Sequence, residues 1–394
     1  MPPVLTARPT VPASRRSPSP PGVLLPERVR GTLRHAAPAL AGYVAVRLLG
    51  LLVITRWSHL KGLEVWPTLA TSWDSRWYLA IADHGYEPEP GEPAGHRTMA
   101  FFPLYPALVK AFAAVTPGSR ASVGLALAVL CSLAAAWGIF AVGDRLYGRR
   151  VGTVLVVLWG ALPVSAVQWM GYTESLFTAL AAWALYAALD GRWAWAAGLA
   201  VGAGLTRPTG VAVAAAVSVA GLLAARRGSR RALAAALVAP LGWLGYVGWV
   251  GLRLGRWDGY FVVQESWSNT WDGGTVTLDQ LRNHLVYDKD PQLFLVVVSL
   301  VLLAAVALHL LCVADRQPLP LLVFAGVLLL VVLGSGGVYF PRARFLLPGF
   351  PLLLPLALAV CRARRRVAAL VLAAAALSSA WLGGYMLLVW PGPP

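Results

Sequence analysis

Apolar residues occur along this chain in long blocks, separated by short joints rich in arginine, proline or glycine. The blocks run for about 17 to 25 residues, which is the length that spans a bilayer as a helix. This pattern predicts an all-α polytopic membrane protein. We expect about eleven transmembrane helices, at residues 38–55, 121–142, 151–169, 173–189, 193–206, 209–225, 232–252, 292–313, 318–334, 346–361 and 367–389.

Two longer polar segments, at about 56–100 and 253–290, interrupt this pattern. The apolar segment 101–115 is short and contains two prolines, so we predict that it lies at the membrane interface and does not cross. The first residues of the chain are rich in proline, serine and arginine and lack the apolar core of a signal peptide. We therefore predict a disordered basic tail at 1–35 and a single transmembrane domain at 36–394.

Composition agrees with a membrane protein, because 58% of the residues are hydrophobic and only 13% are charged. A net charge of +16 would suggest a nucleic-acid partner for a soluble protein. Here the arginines cluster in short loops, at 145–150, 226–231 and 362–366, where they orient the helices against anionic lipid. We therefore predict membrane lipids, and no nucleic acid, as partners. The three cysteines fall in or beside apolar spans, at spacings that indicate neither a disulfide framework nor a metal site.

The arginine-rich loops also predict the orientation, because positively charged loops remain in the cytoplasm. The N-terminal tail is then cytoplasmic, and both long polar segments and the C-terminus lie outside. Polar clusters at several outer helix ends fall on the same face as Trp73-Asp74-Ser75. They are Gly171–Ser175, Thr206–Gly210, Val263–Trp267 and Tyr339–Phe345. Their convergence predicts one site at the extracytoplasmic surface.

Several motifs occur in the order in which one known family carries them. They are Trp73-Asp74, His84-Gly85-Tyr86, Ala100-Phe101-Phe102-Pro103, Gly171-Tyr172-Thr173-Glu174-Ser175-Leu176-Phe177 and Arg344-Phe345-Leu346. Over about residues 40 to 350 the chain resembles the PIG-V family, the multi-span mannosyltransferases of GPI-anchor assembly, and their bacterial relatives. The resemblance implies a GT-C glycosyltransferase fold and an inverting transfer of mannose from a polyprenyl-phosphate donor, with Asp74 of the first external loop as the base. The chain departs from the family in its arginine-rich tail and at Asp83, which leaves the acceptor open.

The chemistry of the residues is consistent with that implication. An outer site has no supply of sugar nucleotides, and the chain has no glycine-rich strand–turn–helix unit to bind one, so the donor should be a sugar on a lipid phosphate. Asp74 is the candidate catalytic base, which takes the proton of the acceptor hydroxyl. Arginine can stabilise the departing phosphate bidentately. The residues that we predict to bind donor or acceptor are Asp83, His84, Glu174, Arg207, Gln264, Arg342 and Arg344.

Each of these residues also has a structural interpretation. Asp74 could cap the start of a helix, since aspartate is favoured there. Glu174 could complement the dipole of the helix that it begins, and Arg207 could extend to the interface. Arg47 lies inside the first predicted span, where a charge usually faces protein or water, and its role stays open between packing and the site.

The acidic pairs Asp288/Asp290 and Glu87/Glu89 have the spacing of metal motifs seen in glycosyltransferases, but both lie in generally acidic loops. We interpret them as solvated, and we predict neither a metal nor another cofactor.

Two other functions stay open at this point. One is a GT-C enzyme that uses another polyprenyl-phosphate sugar, such as arabinose or glucose. The other is a polytopic transporter, although such proteins usually have paired halves and ionisable residues near the membrane midplane. The predicted partners of the enzyme are a polyprenyl-phosphate sugar donor and a lipid or glycan acceptor. The high alanine and glycine content and the preference for arginine over lysine are typical of a GC-rich bacterium, which indicates the plasma membrane.

Overall fold

The computed structural model describes residues 25–86 and 97–394, whose regular structure is helical apart from one isolated antiparallel bridge between Trp271 and Ser335. The helices of the first half are α1 (Leu25–Leu60), α2 (Val65–Ala70), α3 (Asp74–His84), α4 (Leu104–Ala113), α5 (Arg120–Tyr147), α6 (Arg149–Gly160), α7 (Glu174–Leu189), α8 (Trp193–Gly204) and α9 (Gly210–Ala225). Those of the second half are α10 (Arg230–Val238), α11 (Leu241–Leu254), α12 (Gly259–Glu265), α13 (Thr275–Arg282), α14 (Leu293–Ala314), α15 (Leu319–Gly334), α16 (Arg342–Phe345), α17 (Leu354–Arg362) and α18 (Arg365–Leu388).

Every predicted span coincides with a helix, but three of the spans are not continuous α-helices. The interruptions lie at Pro163, Pro240 and Pro348. Proline explains them, because its ring removes a backbone donor and clashes with the preceding turn of a helix.

Within the described part of the chain, five helical stretches are long and apolar enough to cross a bilayer. They are Gly31–Leu60, Arg120–Tyr147, Arg230–Leu254, Leu293–Ala314 and Arg365–Leu388. Helices α7, α9 and α15 are apolar but shorter, and they pack against one another and against the long helices. Helix α4, which we predicted at the interface, has 10 residues and is about 15 Å long, half the thickness of the hydrocarbon core. The protein is an all-α membrane protein.

Helix α7 packs against α5, α8 and α9, and 12 of its 16 residues are buried. Many of them are alanines, and small side chains allow neighbouring helices in a membrane to approach closely. At the crossing of α5 and α6, a Cβ added to Gly143 would lie only 2.7 Å from the Cα of Gly152. This dense packing buries the first residue of α7, Glu174, at one end of the bundle.

The two long polar segments fold onto the bundle as short helices. In the first, α3 packs against α4 and α5. In the second, the Gly336 N–H donates to the carbonyl of Thr270 at 2.7 Å, and the Asp272 N–H donates to that of Gly334 at 3.2 Å. These bonds tie the segment that precedes α13 to the segment between α15 and α16, which places α16 next to the second polar segment.

Parts of two predictions lie outside the described residues. Residues 1–24 of the predicted basic tail are among these, and α1 begins at Leu25, within the final part of that tail. The acidic pair Glu87 and Glu89 is also outside the described residues. The residues from Ala36 to Pro394 form one compact unit, which contains everything discussed below.

Candidate active site

Asp74 is the first residue of α3 and follows a residue with an unusual backbone. Trp73 has φ of 50° and ψ of −118°, a conformation that costs free energy for any residue with a side chain. The interpretation of Asp74 as a helix cap is wrong, because Trp73 occupies the cap position and no side chain caps the helix. The carboxylate of Asp74 contacts Arg344 instead, and its side chain is 25% exposed.

Asp74 belongs to a chain of alternating charges. Its Oδ2 accepts a hydrogen bond of 2.7 Å from Nη2 of Arg344. The Nε of Arg344 lies 3.2 Å from Oε1 of Glu174, and Nη1 of Arg207 lies 2.6 Å from the same oxygen. The side chains of Arg207, Glu174 and Arg344 are at most 8% exposed. Two carboxylates thus compensate two guanidinium groups, as the cost of burying charge requires.

Neutral groups surround the two arginines. Nη1 of Arg207 donates to Oγ1 of Thr173 at 3.0 Å, and this hydroxyl lies 3.0 Å from the hydroxyl of Tyr78. The Cζ of Arg344 lies 5.0 Å from the centroid of the Tyr172 ring, within the range of a cation–π contact. Burial raises the pKa of both Tyr78 and Tyr172 above the usual value. Both phenols are therefore neutral near pH 7 and add no charge to the cluster.

Arg342 lies in a different environment from Arg344. Its guanidinium donates to the carbonyl oxygens of Ser335 at 2.6 Å and Val338 at 3.3 Å, and to the hydroxyl of Thr277. Within the described residues, no carboxylate forms an ion pair with it. These bonds use three of its five N–H donors. Among the described residues, Arg342 therefore has N–H donors left for an anion, and its charge interacts with that of Asp272 without forming an ion pair.

The pKa values express the same contrast between the two arginines. Burial lowers the pKa of Arg342 from its ordinary value. Burial acts on Arg344 in the same sense, but the charges of Asp74 and Glu174 outweigh it and raise its pKa. The charge of Asp272 acts on the pKa of Arg342 against burial but does not outweigh it. Arg344 is thus in contact with two carboxylates, whereas Arg342 has none within ion-pair distance among the described residues.

The segments that carry these residues enclose a cavity of about 270 Å³. Asp74, Arg207, Gln264, Arg342 and Arg344 all line it. Much of the remaining wall is aromatic and consists of Tyr78, Phe101, Phe102, Trp267, Phe340 and Phe345. One compartment therefore contains a partly exposed carboxylate, three guanidinium groups and several ring faces.

Two amide side chains lie beside the aromatic wall. Nε2 of Gln264 donates to the hydroxyl of Tyr260 at 2.8 Å, and Nδ2 of Asn269 donates to Oε1 of Gln264 at 3.2 Å. Asn269 lines the cavity as well. The ring of Trp267 meets Phe101 edge to face, with centroids 5.4 Å apart. Amides can bind hydroxyl groups, and ring faces can cover apolar surface, so this wall suits a ligand that has both.

The structure does not bring Asp83, His84 or Arg47 to this cavity. Asp83 lies about 14 Å from Asp74 along the axis of helix α3. There, Asp83 forms an ion pair with Arg120 of α5. His84 follows it and is exposed. Arg47 is buried in α1, and its Nη2 donates to Oγ of Ser379 in α18 at 3.3 Å. Arg47 therefore joins two helices and does not line the site.

Three polar residues around the site, Tyr78, Thr173 and Asn269, were not among the predicted binding residues. Tyr78 had a usable signal, because it lies four residues after Asp74 and so on the same face of α3. Thr173 belongs to the motif that begins at Gly171, beside the predicted Glu174. No signal in the sequence indicated Asn269, because its position depends on how the second polar segment folds against the residues after α15.

Within the described residues, no group of three or more histidine, cysteine, aspartate or glutamate side chains is arranged to hold a metal ion. Asp288 and Asp290 are exposed, and the Asp290 N–H donates to the Asp288 carboxylate at 3.1 Å. The Asp288 carboxylate also lies 4.0 Å from Nδ1 of His284. These acidic residues thus form a local turn at the surface.

Comparisons with known proteins identify the fold. No protein-family model matches the sequence, and no curated protein matches it. The structure is similar to the archaeal oligosaccharyltransferase AglB from Archaeoglobus fulgidus, solved in complex with an inhibitory peptide and a dolichol-phosphate, with a TM-score of 0.52 and 15% identity. A second structure of the Archaeoglobus fulgidus oligosaccharyltransferase, with zinc and sulfate, gives a TM-score of 0.47 at 13% identity and covers 90% of this chain and 54% of that one.

The match to AglB covers 90% of this chain but only 56% of AglB. At this identity the likeness concerns the fold, which is the all-α GT-C fold implied by the sequence motifs. The narrower resemblance to the PIG-V family rests on those motifs alone.

Proposed function

We propose that this protein is an inverting glycosyltransferase, which moves mannose from a polyprenyl-phosphate-mannose donor to a hydroxyl of a lipid-linked or other extracytoplasmic acceptor. The observation that carries the proposal is the content of one cavity. It holds the Asp74 carboxylate, oriented by Arg344, together with Arg342, with which no carboxylate of the described residues forms an ion pair. A base and an anion ligand are the two groups that transfer from a sugar phosphate requires.

In the proposed reaction, the acceptor oxygen attacks C1 of the sugar from the face opposite the phosphate. The Asp74 carboxylate takes the proton of the acceptor hydroxyl. The bond between C1 and the phosphate oxygen breaks, and its electron pair leaves with the polyprenyl phosphate. A new bond forms between C1 and the acceptor oxygen, so the configuration at C1 is inverted.

Arg342 is the residue best suited to bind the phosphate. Its remaining N–H donors and its positive charge, which forms no ion pair within the described residues, favour the anion before the reaction. They favour it more strongly as negative charge develops on the leaving oxygen. Arg207 and Arg344, which we also predicted as phosphate ligands, are each in contact with Glu174. Their charges are already compensated, so they contribute less to binding an anion.

A lipid-borne donor is supported by two observations of different kinds. The chain has the GT-C fold, and its structural neighbour AglB was solved with a dolichol-phosphate, which is a polyprenyl phosphate. The arginine distribution supports a location of the site on the outer face of the bacterial plasma membrane, where sugar nucleotides are absent. The aromatic wall and the amides of Gln264 and Asn269 then face the sugar or the acceptor.

The test is an assay of purified protein in lipid nanodiscs with radiolabelled polyprenyl-phosphate-mannose and a panel of lipid and glycan acceptors. The same panel includes polyprenyl-phosphate-arabinose, polyprenyl-phosphate-glucose and a sugar nucleotide. We expect transfer from the mannose donor, none from the sugar nucleotide, and inversion at C1 in the product. Preference for another lipid-linked sugar would change the assigned sugar. Absence of transfer from every lipid donor would contradict the proposal.

A further inference from the structure

Glu174 is a buried carboxylate that the proposed chemistry does not use directly. It does not line the cavity, and its side chain is 2% exposed. Its Oε1 lies 2.6 Å from Nη1 of Arg207 and 3.2 Å from Nε of Arg344, yet it makes no directed hydrogen bond among the described residues. The contribution of this oxygen is therefore its charge, shared between two guanidinium groups.

We propose that Glu174 is a positioning residue for Asp74, an inference that rests on the proposed function of the site. Glu174 draws Arg344 towards α7 through the Nε side of the guanidinium, while Nη2 of Arg344 binds Asp74. Arg344 is thus held between two carboxylates that lie 100 residues apart in the sequence. Because the charge of Glu174 attracts the guanidinium group that binds Asp74, the position of Glu174 affects where Arg344 holds the base.

Arg207 completes the arrangement from the other side. It contacts Glu174 and donates to Thr173, whose hydroxyl meets that of Tyr78. Tyr78 and Asp74 are four residues apart on α3, so both ends of this first turn are connected to Glu174. A displacement of Glu174 would therefore move the base through two independent routes.

The charge of Glu174 has a second consequence for the donor. Asp74 and Glu174 together compensate Arg207 and Arg344, whereas Arg342 forms no ion pair within the described residues and is the cation available to the phosphate. Without the Glu174 charge, the cavity would carry one more positive charge that lacks an ion-pair partner. An anionic donor would then bind at least as tightly, although in a geometry less suited to reaction. Loss of the Glu174 charge should therefore lower turnover without weakening the binding of the donor.

The decisive variant is Glu174→Gln, which keeps the shape of the side chain and removes its charge. We expect kcat to fall roughly 10- to 100-fold, since small misplacements of a reacting group have effects of that size. The KM for the donor should not rise. A purely structural role predicts instead that turnover and donor affinity are lost together with the folded protein. Glu174→Asp keeps the charge at a shorter reach, and we expect it to recover part of kcat.

A second variant decides the question if Glu174→Gln is poorly folded. Combining Glu174→Gln with Arg207→Gln removes one charge of each sign, so the net charge of the cluster is restored. We expect donor KM to return to the wild-type value while kcat stays low, because Arg344 still lacks the contact that orients it. Glu64→Gln, which removes an exposed carboxylate just before α2, is the matched control and should leave both constants unchanged.

Each outcome has one meaning. If Glu174→Gln, or the double variant where the single one does not fold, has a kcat within twofold of wild type, Glu174 does not position the base. A donor KM that rises in proportion to the loss of kcat would also overturn the inference. If the wild-type protein itself transfers no sugar from any lipid donor, the proposed function fails instead, and this inference fails with it.

Discussion

Nη2 of Arg344 donates a hydrogen bond of 2.7 Å to Oδ2 of Asp74, across 270 positions of sequence. The bond joins the start of α3 in the first polar segment to the short helix α16 near the end of the bundle. It leaves the Asp74 side chain 25% exposed at the cavity, whereas the Arg344 side chain is 5% exposed. Asp74 therefore presents part of its carboxylate to the cavity, and Arg344 binds that carboxylate from a more buried position.

Replacement of Asp74 by asparagine tests its role as the base. The amide oxygen can still accept the bond from Arg344, so we expect the fold and donor binding to be largely retained. An amide cannot take a proton, and turnover should fall by roughly 10²-fold or more. Turnover of radiolabelled polyprenyl-phosphate-mannose is the measurement, with the melting temperature recorded in parallel. Asp279→Asn, at an exposed position on α13, is the control; normal turnover by Asp74→Asn would exclude Asp74 as the base.

Replacement of Arg342 by glutamine tests the assignment of the phosphate ligand. Loss of a charge-assisted contact should weaken donor binding by roughly 1.5–3 kcal/mol, which is about 10- to 150-fold in Kd. Arg342→Lys should recover only part of this, because an ammonium group cannot form the planar fork. Binding of the lipid-phosphate donor is measured by competition, with Arg282→Gln on α13 as the exposed control. An unchanged Kd would transfer the role of phosphate ligand to Arg207 or Arg344.

Cysteine labelling in intact cells tests the orientation. In a background without Cys131, Cys312 and Cys361, we expect Arg227→Cys to resist an impermeant maleimide, because it lies in an arginine-rich loop that should be cytoplasmic. Lys289→Cys, in the second polar segment, should be labelled. Both positions are exposed and both substitutions remove one positive charge, so each is the control of the other. Labelling in the opposite sense would place Asp74 on the cytoplasmic side and contradict an outer lipid donor site.

Replacement of Gly242 by alanine tests the close contact of α8 with α11. A Cβ at this position would lie 2.1 Å from the carbonyl oxygen of Val201, which is backbone and cannot rotate away. We expect a loss of about 1–3 kcal/mol of stability, as for other overpacked contacts, seen as a lower melting temperature in detergent. Gly245→Ala in the same helix meets nothing within 4 Å and is the matched control. It should be neutral or stabilising by up to about 1 kcal/mol. Equal melting temperatures for the two variants would show that the helices separate more easily than their packing indicates.

The short-range properties of this protein follow from its sequence. The lengths of the apolar blocks predicted where helices form, since a span needs a certain length and every backbone group in lipid needs an internal partner. The motifs around Asp74, Glu174 and Arg344 implied the GT-C fold, which the structure has. They also contained Asp74, Arg344 and Phe345, which line the cavity, and Glu174, which contacts Arg344.

Only the tertiary structure decided which charges meet. The sequence offered Arg207, Arg342 and Arg344 as candidate phosphate ligands. Two of them contact Glu174, whereas the third forms no ion pair with a carboxylate of the described residues. Asp83 and His84 belong to the same early segment as Asp74, but the length of α3 carries them to the surface. The physical reason is that burial makes each charge require a partner, and the partner is chosen by how helices far apart in sequence pack together.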